Sequence, residues 1–148
     1  MAAGKYNFKI EQGSTVDFTL NYTDAQGSAI DLTDYSARMQ VKSIDRSSTF
    51  LTLSSSLESD GLTGLDLTPP VTFGTGTLPA TSGSIRVYVS AATSSALDFV
   101  VGAYDLEIFS GSAPITVTKL LTGTVSLIKE VTTTEFNLSN ILQLYKNN

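Results

Sequence analysis

Apolar and polar residues alternate in step along several stretches of the chain, and period-two alternation marks a strand with one buried face. In residues 16–22, Val16, Phe18, Leu20 and Tyr22 alternate with Asp17, Thr19 and Asn21. Residues 25–28 (AQGS) then supply a turn. The segment 31–42 (DLTDYSARMQVK) reads as a turn feeding a half-buried strand, with Ala37, Met39 and Val41 set against Arg38, Gln40 and Lys42. Ile85, Val87 and Val89 alternate with Arg86 and Tyr88, and Tyr104, Leu106 and Ile108 with Asp105 and Glu107. Leu121, Gly123, Val125 and Leu127 alternate with Thr122, Thr124 and Ser126. Residues 115–120 lead into this last run, with a β-bulge expected near Lys119. Such runs, separated by turn signals, predict an all-β fold, an antiparallel sandwich.

Two regions break the alternation. Residues 43–82 are rich in Ser, Thr and Gly and carry Pro69, Pro70 and Pro79. Within them residues 49–56 (TFLTLSSS) have good strand propensity, whereas 66–82 read as an extended arm whose prolines limit sheet pairing. Long loops are uncommon in compact domains and often serve function. The arm is either a solvated excursion or a reach toward a neighbouring subunit, with Pro69, Pro70, Phe73 and Pro79 as the contacts.

The other break is the tail, where Leu138, Ile141, Leu142 and Tyr145 sit at i, i+3, i+4 and i+7 and line one face of a helix. Asn137 or a nearby hydroxyl residue caps its start, and Lys146 suits its C-terminal end. So short a helix is marginal alone in water, so it is expected to dock on its own sandwich or on a partner. A shorter helix is predicted in 90–97 (SAATSSAL), linking two strands. The expected organisation is a sandwich domain over 1–132, with an inserted arm at 45–82, and a helical tail over 133–148.

Length changes this picture little: 148 residues fit one domain with a substantial core. Charge changes it more. Charged residues are only 16% of the chain, against about 25% in typical proteins, which suits a β protein embedded among other subunits. The net charge of −5 would repel a phosphate backbone, so no nucleic-acid partner is expected. No apolar run approaches the roughly 18 residues of a membrane span, and the N-terminal MAAGKYNFKI builds no signal-type apolar region, so no membrane partner is expected.

Candidate chemistry is sparse. The chain has no Cys, which removes disulfides and thiolate chemistry, and no His, which rules out a Ser-His-Asp triad within it. Asp31 with Asp34, Glu58 with Asp60, and Asp105 with Glu107 could each offer oxygens to a hard cation, but none has the spacing of a calcium loop. Asp31 and Asp34 are better read as turn formers, and Asp105 and Glu107 as outward charges that discourage edge pairing. A glycosidase would need two carboxyl groups across a cleft, and with no Trp the chain is poorly supplied for sugar stacking. Two sequons, at Asn21 and Asn137, are expected by chance in so Ser/Thr-rich a chain. The expectation is no enzyme activity, no cofactor and no bound metal.

Three blocks together resemble a family of immunoglobulin-like structural proteins of tailed-phage virions. They are KIEQGSTVDFTLNYTDAQG (9–27), DLTDYSARMQVK (31–42) and GAYDLEIFSGSAPITVTKLLTGTVSLIKEVT (102–132). The second block is similar to the family's DLTGYTARMQ, with Asp34 standing where that pattern has Gly. The third resembles a G-x-Y-x-Y-D-L-E strand, a hairpin and an LLEGTVTV strand. Upper-baseplate N-terminal domains share this character. The resemblance covers about two-thirds of the chain, with 43–82 the poorest match, and its motifs mark strands and turns with no catalytic residue to transfer.

What the resemblance implies is an immunoglobulin-like fold in a non-enzymatic assembly protein of the virion, a tail, neck or baseplate component made in the host cytoplasm. Its partners would be other virion proteins and copies of itself, in a symmetric homo-oligomeric assembly. The alternatives are a capsid decoration protein and a receptor- or glycan-binding module.

Overall fold

The computed structural model describes residues 4–71, 73–111 and 113–131. Its strands are β1 (Gly4–Lys5), β2 (Phe8–Glu11), β3 (Val16–Asn21), β4 (Tyr35–Lys42), β5 (Thr49–Ser54), β6 (Gly64–Asp66), β7 (Ser84–Val89), β8 (Val101–Ser110) and β9 (Val117–Ile128). One short helix, α1 (Ala91–Ser95), links β7 to β8. The described residues are mostly β and form two sheets. The larger has the order β1-β9-β8-β4-β5, with β2 also against β9, and the smaller has the order β3-β7-β6. The expected tail helix, with Leu138, Ile141, Leu142 and Tyr145, lies outside the described residues.

The alternation has the consequence it should. Ala37, Met39, Val41, Tyr104, Leu106, Ile108, Val125 and Leu127 of the large sheet share one buried core with Leu65, Ile85, Val87 and Val89 of the small one. Each large apolar side chain so buried contributes about 1.5–3 kcal/mol of transfer free energy. A bulge falls where expected: Leu106 pairs with Leu121 but Glu107 with Lys119, leaving Leu120 as the extra residue. A second irregularity, between Val41 and Lys42, leaves Phe50 out of the β4–β5 pairing. The Phe50 ring stacks on Phe99, with centroids 4.7 Å apart. The short helix starts at Ser90, whose hydroxyl accepts the Thr93 N–H.

The structure corrects three expectations. The sandwich is not wholly antiparallel, because β1 and β2 run parallel to β9. Strand pairing across the whole chain length is not encoded in local alternation, so only tertiary packing sets this direction. Secondly, within the region read as an insertion, β5 forms where strand propensity placed it, but β6 is a strand that was not expected, and the two are outer strands of the two sheets. Leu67 beyond β6 also packs on the core. Thirdly, Asp105 and Glu107 do not guard an edge. Their strand β8 lies between β4 and β9, and the two carboxylates pair with cations of those neighbours, Asp105 with Lys119 at 3.1 Å and Glu107 with Arg38.

The N-terminal strands are held by specific polar contacts. The Tyr6 N–H donates to the Thr122 carbonyl at 3.0 Å, and the Asn7 side-chain oxygen accepts the Thr124 N–H at 2.9 Å. Between β2 and β3, Gln12 spans two elements. It donates to the Leu97 carbonyl at 2.8 Å and accepts the Glu130 N–H at 2.9 Å. Buried Ser94 completes this junction, accepting the Gly13 N–H at 3.0 Å and donating to the Ser14 carbonyl at 2.7 Å.

Candidate interaction surface

The arm is a small hairpin rooted in the fold. The Leu78 N–H donates to the Pro69 carbonyl at 2.7 Å, and the Val71 N–H to the Gly76 carbonyl at 3.1 Å. Gly74 and Gly76, at φ 96° and 103°, supply the left-handed conformations that its tip needs. Pro69 is fully buried and presents no side-chain surface, so it leaves the set of expected contacts. Pro70 and Pro79 are exposed. Phe73 at the tip is 91% exposed, and so large an apolar side chain held clear of its own fold is available to a partner.

The outer face of the large sheet was legible only as a polar row. Register places Arg38 beside Glu107, Gln40 beside Asp105 and Lys42 beside Ala103. Across β9 the same face carries Lys119, Thr122 and Ser126, and beyond them Lys5 and Lys9, which pair with Thr122 and Ser126. The Arg38 guanidinium also lies over the Phe109 ring, 4.7 Å from its centroid. A hollow of about 220 Å³ opens here, lined in part by Arg38, Gln40, Lys42, Arg46, Asp105 and Glu107. A second cavity of about 340 Å³ lies between the sheets, lined by Leu20, Tyr22, Ile85, Leu106, Leu120 and Leu121 among others.

Two of the candidate ligands, Asp31 and Asp60, are engaged in turns. Asp31 accepts both the N–H (2.9 Å) and the hydroxyl (2.5 Å) of Thr33, which holds its carboxyl below the usual range. Asp60 accepts the hydroxyl of fully buried Thr63 at 2.5 Å, with the same effect. Asp45 is held at about 2 by the Ser43 hydroxyl and then by Ser47. Among the described residues no group of three or more His, Cys, Asp or Glu is placed to hold a metal ion. No helix among them is long and apolar enough to cross a membrane.

Tyr104 has the most informative titration. Its hydroxyl donates to the Tyr6 carbonyl at 2.5 Å, and burial, with smaller contributions from Tyr6 and Asp105, pushes its phenol up to about 12. An unfolded chain releases this proton near pH 10, so between about 10 and 12 the folded state binds more protons. The resulting stability is complete below pH 10 and is lost as pH rises through about 12. Urea midpoints should therefore fall over that window, and Tyr104→Phe should remove both this dependence and the latest step in the phenolate absorbance titration.

The chain matches no protein-family model, and no curated protein is similar to it in sequence.

Proposed function

We propose that this chain is a non-enzymatic structural protein of a tailed-phage virion, a tail, neck or baseplate component that acts through contacts with neighbouring virion proteins and copies of itself. The observation that carries the reading is Phe73, 91% exposed on a hairpin whose root is buried. An aromatic side chain presented this way fits the anchor of a subunit contact.

The finer fold reading, an immunoglobulin-like sandwich, is supported by strand order. The row β9-β8-β4-β5 facing β3-β7-β6 matches the G-F-C-C′ and B-E-D rows of a variable-type domain. With no Cys in the chain, aromatic rings occupy the space between the sheets in place of a disulfide. Phe8 lies 5.3 Å from Phe18 and 5.1 Å from Tyr104, centroid to centroid.

Asp34 supports the resemblance from another side. It adopts φ 66°, a left-handed conformation that favours glycine, at the position where the phage pattern has Gly. Asp34→Gly is accordingly expected to stabilise the fold by about 0.5 kcal/mol, the relief of strain exceeding the entropy that glycine adds to the unfolded chain. A urea titration reads this directly.

The functional test is solution mass by light scattering for the full chain, for Phe73→Asp and for a chain ending at Val131. The expected result is an oligomer that Phe73→Asp weakens by about tenfold, equivalent to roughly 1.4 kcal/mol. Loss of assembly on truncation would add the tail as a second contact. A full-length chain that stays monomeric, and that captures no virion protein, would remove the proposal.

A further inference from the structure

The charge of this protein is unevenly distributed. The outer face of the large sheet and its β4–β5 turn carry Lys5, Lys9, Arg38, Lys42, Arg46 and Lys119 against Glu11, Asp45, Asp105 and Glu107. That is six cations less four anions, or +2. The remaining described residues hold two cations, Arg86 and Lys129, and nine carboxylates, or −7. Glu135 and Lys146 cancel in the rest of the chain, so the two parts sum to the net charge of −5. On the positive face, Lys5, Lys9 and Lys42 make no ion pair among the described residues.

The opposite side of the sandwich has the complementary sign. Asp17 and Asp66 flank Arg86 on the outer face of the small sheet, and loops beside it add Asp24, Glu58 and Asp60. Among the described residues only the Asp17–Arg86 pair, at 2.8 Å, neutralises any of this. A face of net positive charge and a face of net negative charge, on opposite sides of one rigid body, cannot satisfy each other within the molecule. They can do so between copies.

We propose that the basic face of the large sheet docks a second copy of this chain head to tail, against the acidic small-sheet side. This rests on the assembly reading above and gives it a direction. The face is five strands wide and β4 is eight residues long. At about 4.8 Å per strand and 3.4 Å per residue it offers roughly 600 Å² to a partner, near the ~800 Å² of a standard interface. The hollow there is lined by Arg38, Lys42 and Arg46 together with Asp105 and Glu107. Arg38 already pairs with Glu107 and Lys119 with Asp105, so Lys42 and Arg46 are the cations it leaves for a carboxylate of the neighbour. A contact between two different patches is heterologous, so each copy keeps one free face, and stacking continues until it closes into a ring or extends as a filament.

The test is sedimentation velocity of the full chain and two variants, each first checked for an unchanged urea midpoint. Lys9→Glu/Lys42→Glu reverses the basic face. Asp24→Asn/Glu58→Lys removes charge from the acidic side, and the amide oxygen introduced by Asp24→Asn can still accept the turn N–H bonds that Asp24 takes from Gln26 and Ser28. The wild-type chain is expected to associate at about 50 mM salt, and at least tenfold more weakly at about 500 mM, where screening reaches only some 4 Å. Each variant alone should fail to associate, and an equimolar mixture should form dimers that grow no further, because one intact basic face meets one intact acidic face. Assembly that persists in both variants, or that is lost only in Phe73→Asp, would overturn the head-to-tail contact and leave the assembly reading standing. A mixture that stays monomeric would overturn the contact too, and so would a wild-type monomer at both salts, which leaves the assembly reading to be decided by capture of another virion protein.

Discussion

Replacing Gly123 with alanine is expected to destabilise the protein by about 3 kcal/mol, and to do so by detaching its first strand. A Cβ at this position would overlap the Tyr6 carbonyl oxygen and stand 2.8 Å from the Asn7 side-chain oxygen. Neither can yield cheaply. The Tyr6 carbonyl accepts the Tyr104 hydroxyl, the Tyr6 N–H is bonded to Thr122, and the Asn7 oxygen is bonded to the Thr124 N–H. Moving the strand away therefore breaks several hydrogen bonds, each worth about 1 kcal/mol, in addition to the overlap itself. It also opens the cluster of Tyr6, Phe8, Phe18 and Tyr104. Hydrogen exchange should show protection lost first at Tyr6 and Thr124, while β4 and β8 keep theirs. Uniform loss across both sheets would mean that the first strand is an integral part of the cooperative unit.

A change of similar or larger size is expected for Leu106→Ala, about 4 kcal/mol. Leu106 is 1% exposed on the central strand of the large sheet, with β4 on one side and β9 on the other. It also lines the cavity of about 340 Å³ between the sheets. Truncation would enlarge that space, and the hydrogen-bonded neighbours on both sides limit how far the walls can close. Val117→Ala, at a half-exposed site on β9, serves as the control and should change stability by less than about 0.5 kcal/mol. Equilibrium urea unfolding measures both; equal losses would show that the core collapses around the missing side chain.

Much of the large-scale pattern was readable in the chain. The alternation in β3, β4, β7, β8 and β9 required no knowledge of neighbours, because each strand has one face on a shared core. The helix at 91–95 and the bulge beside Lys119 were also local signals. What could not be read depended on pairing. Strand β6 has three residues, too few for a period to show. The parallel first strand depends on Gly123 admitting a backbone more than a hundred residues away in sequence. Pro69 reads as a sheet breaker in sequence, and that property is silent about burial. The basic face is the clearest case. Its lysines and arginines come from β1, β2, β4 and β9, each unremarkable alone, and only the register gathers them.

The parallel pairing of the first strand with the last also bears on how the protein carries load. Gly4 lies beside Leu121 and Glu11 beside Ile128, so the described chain enters the sheet near one pole and leaves it near the other. Tension between those ends pulls β1 and β2 along β9 instead of away from it. The hydrogen bonds of that seam, which lie across the strands, are then loaded together in shear and not opened one after another. Such a seam resists rupture until many bonds yield at once, so forced unfolding is governed by a high barrier to the first step. A subunit pulled through its two ends would transmit the force with little extension.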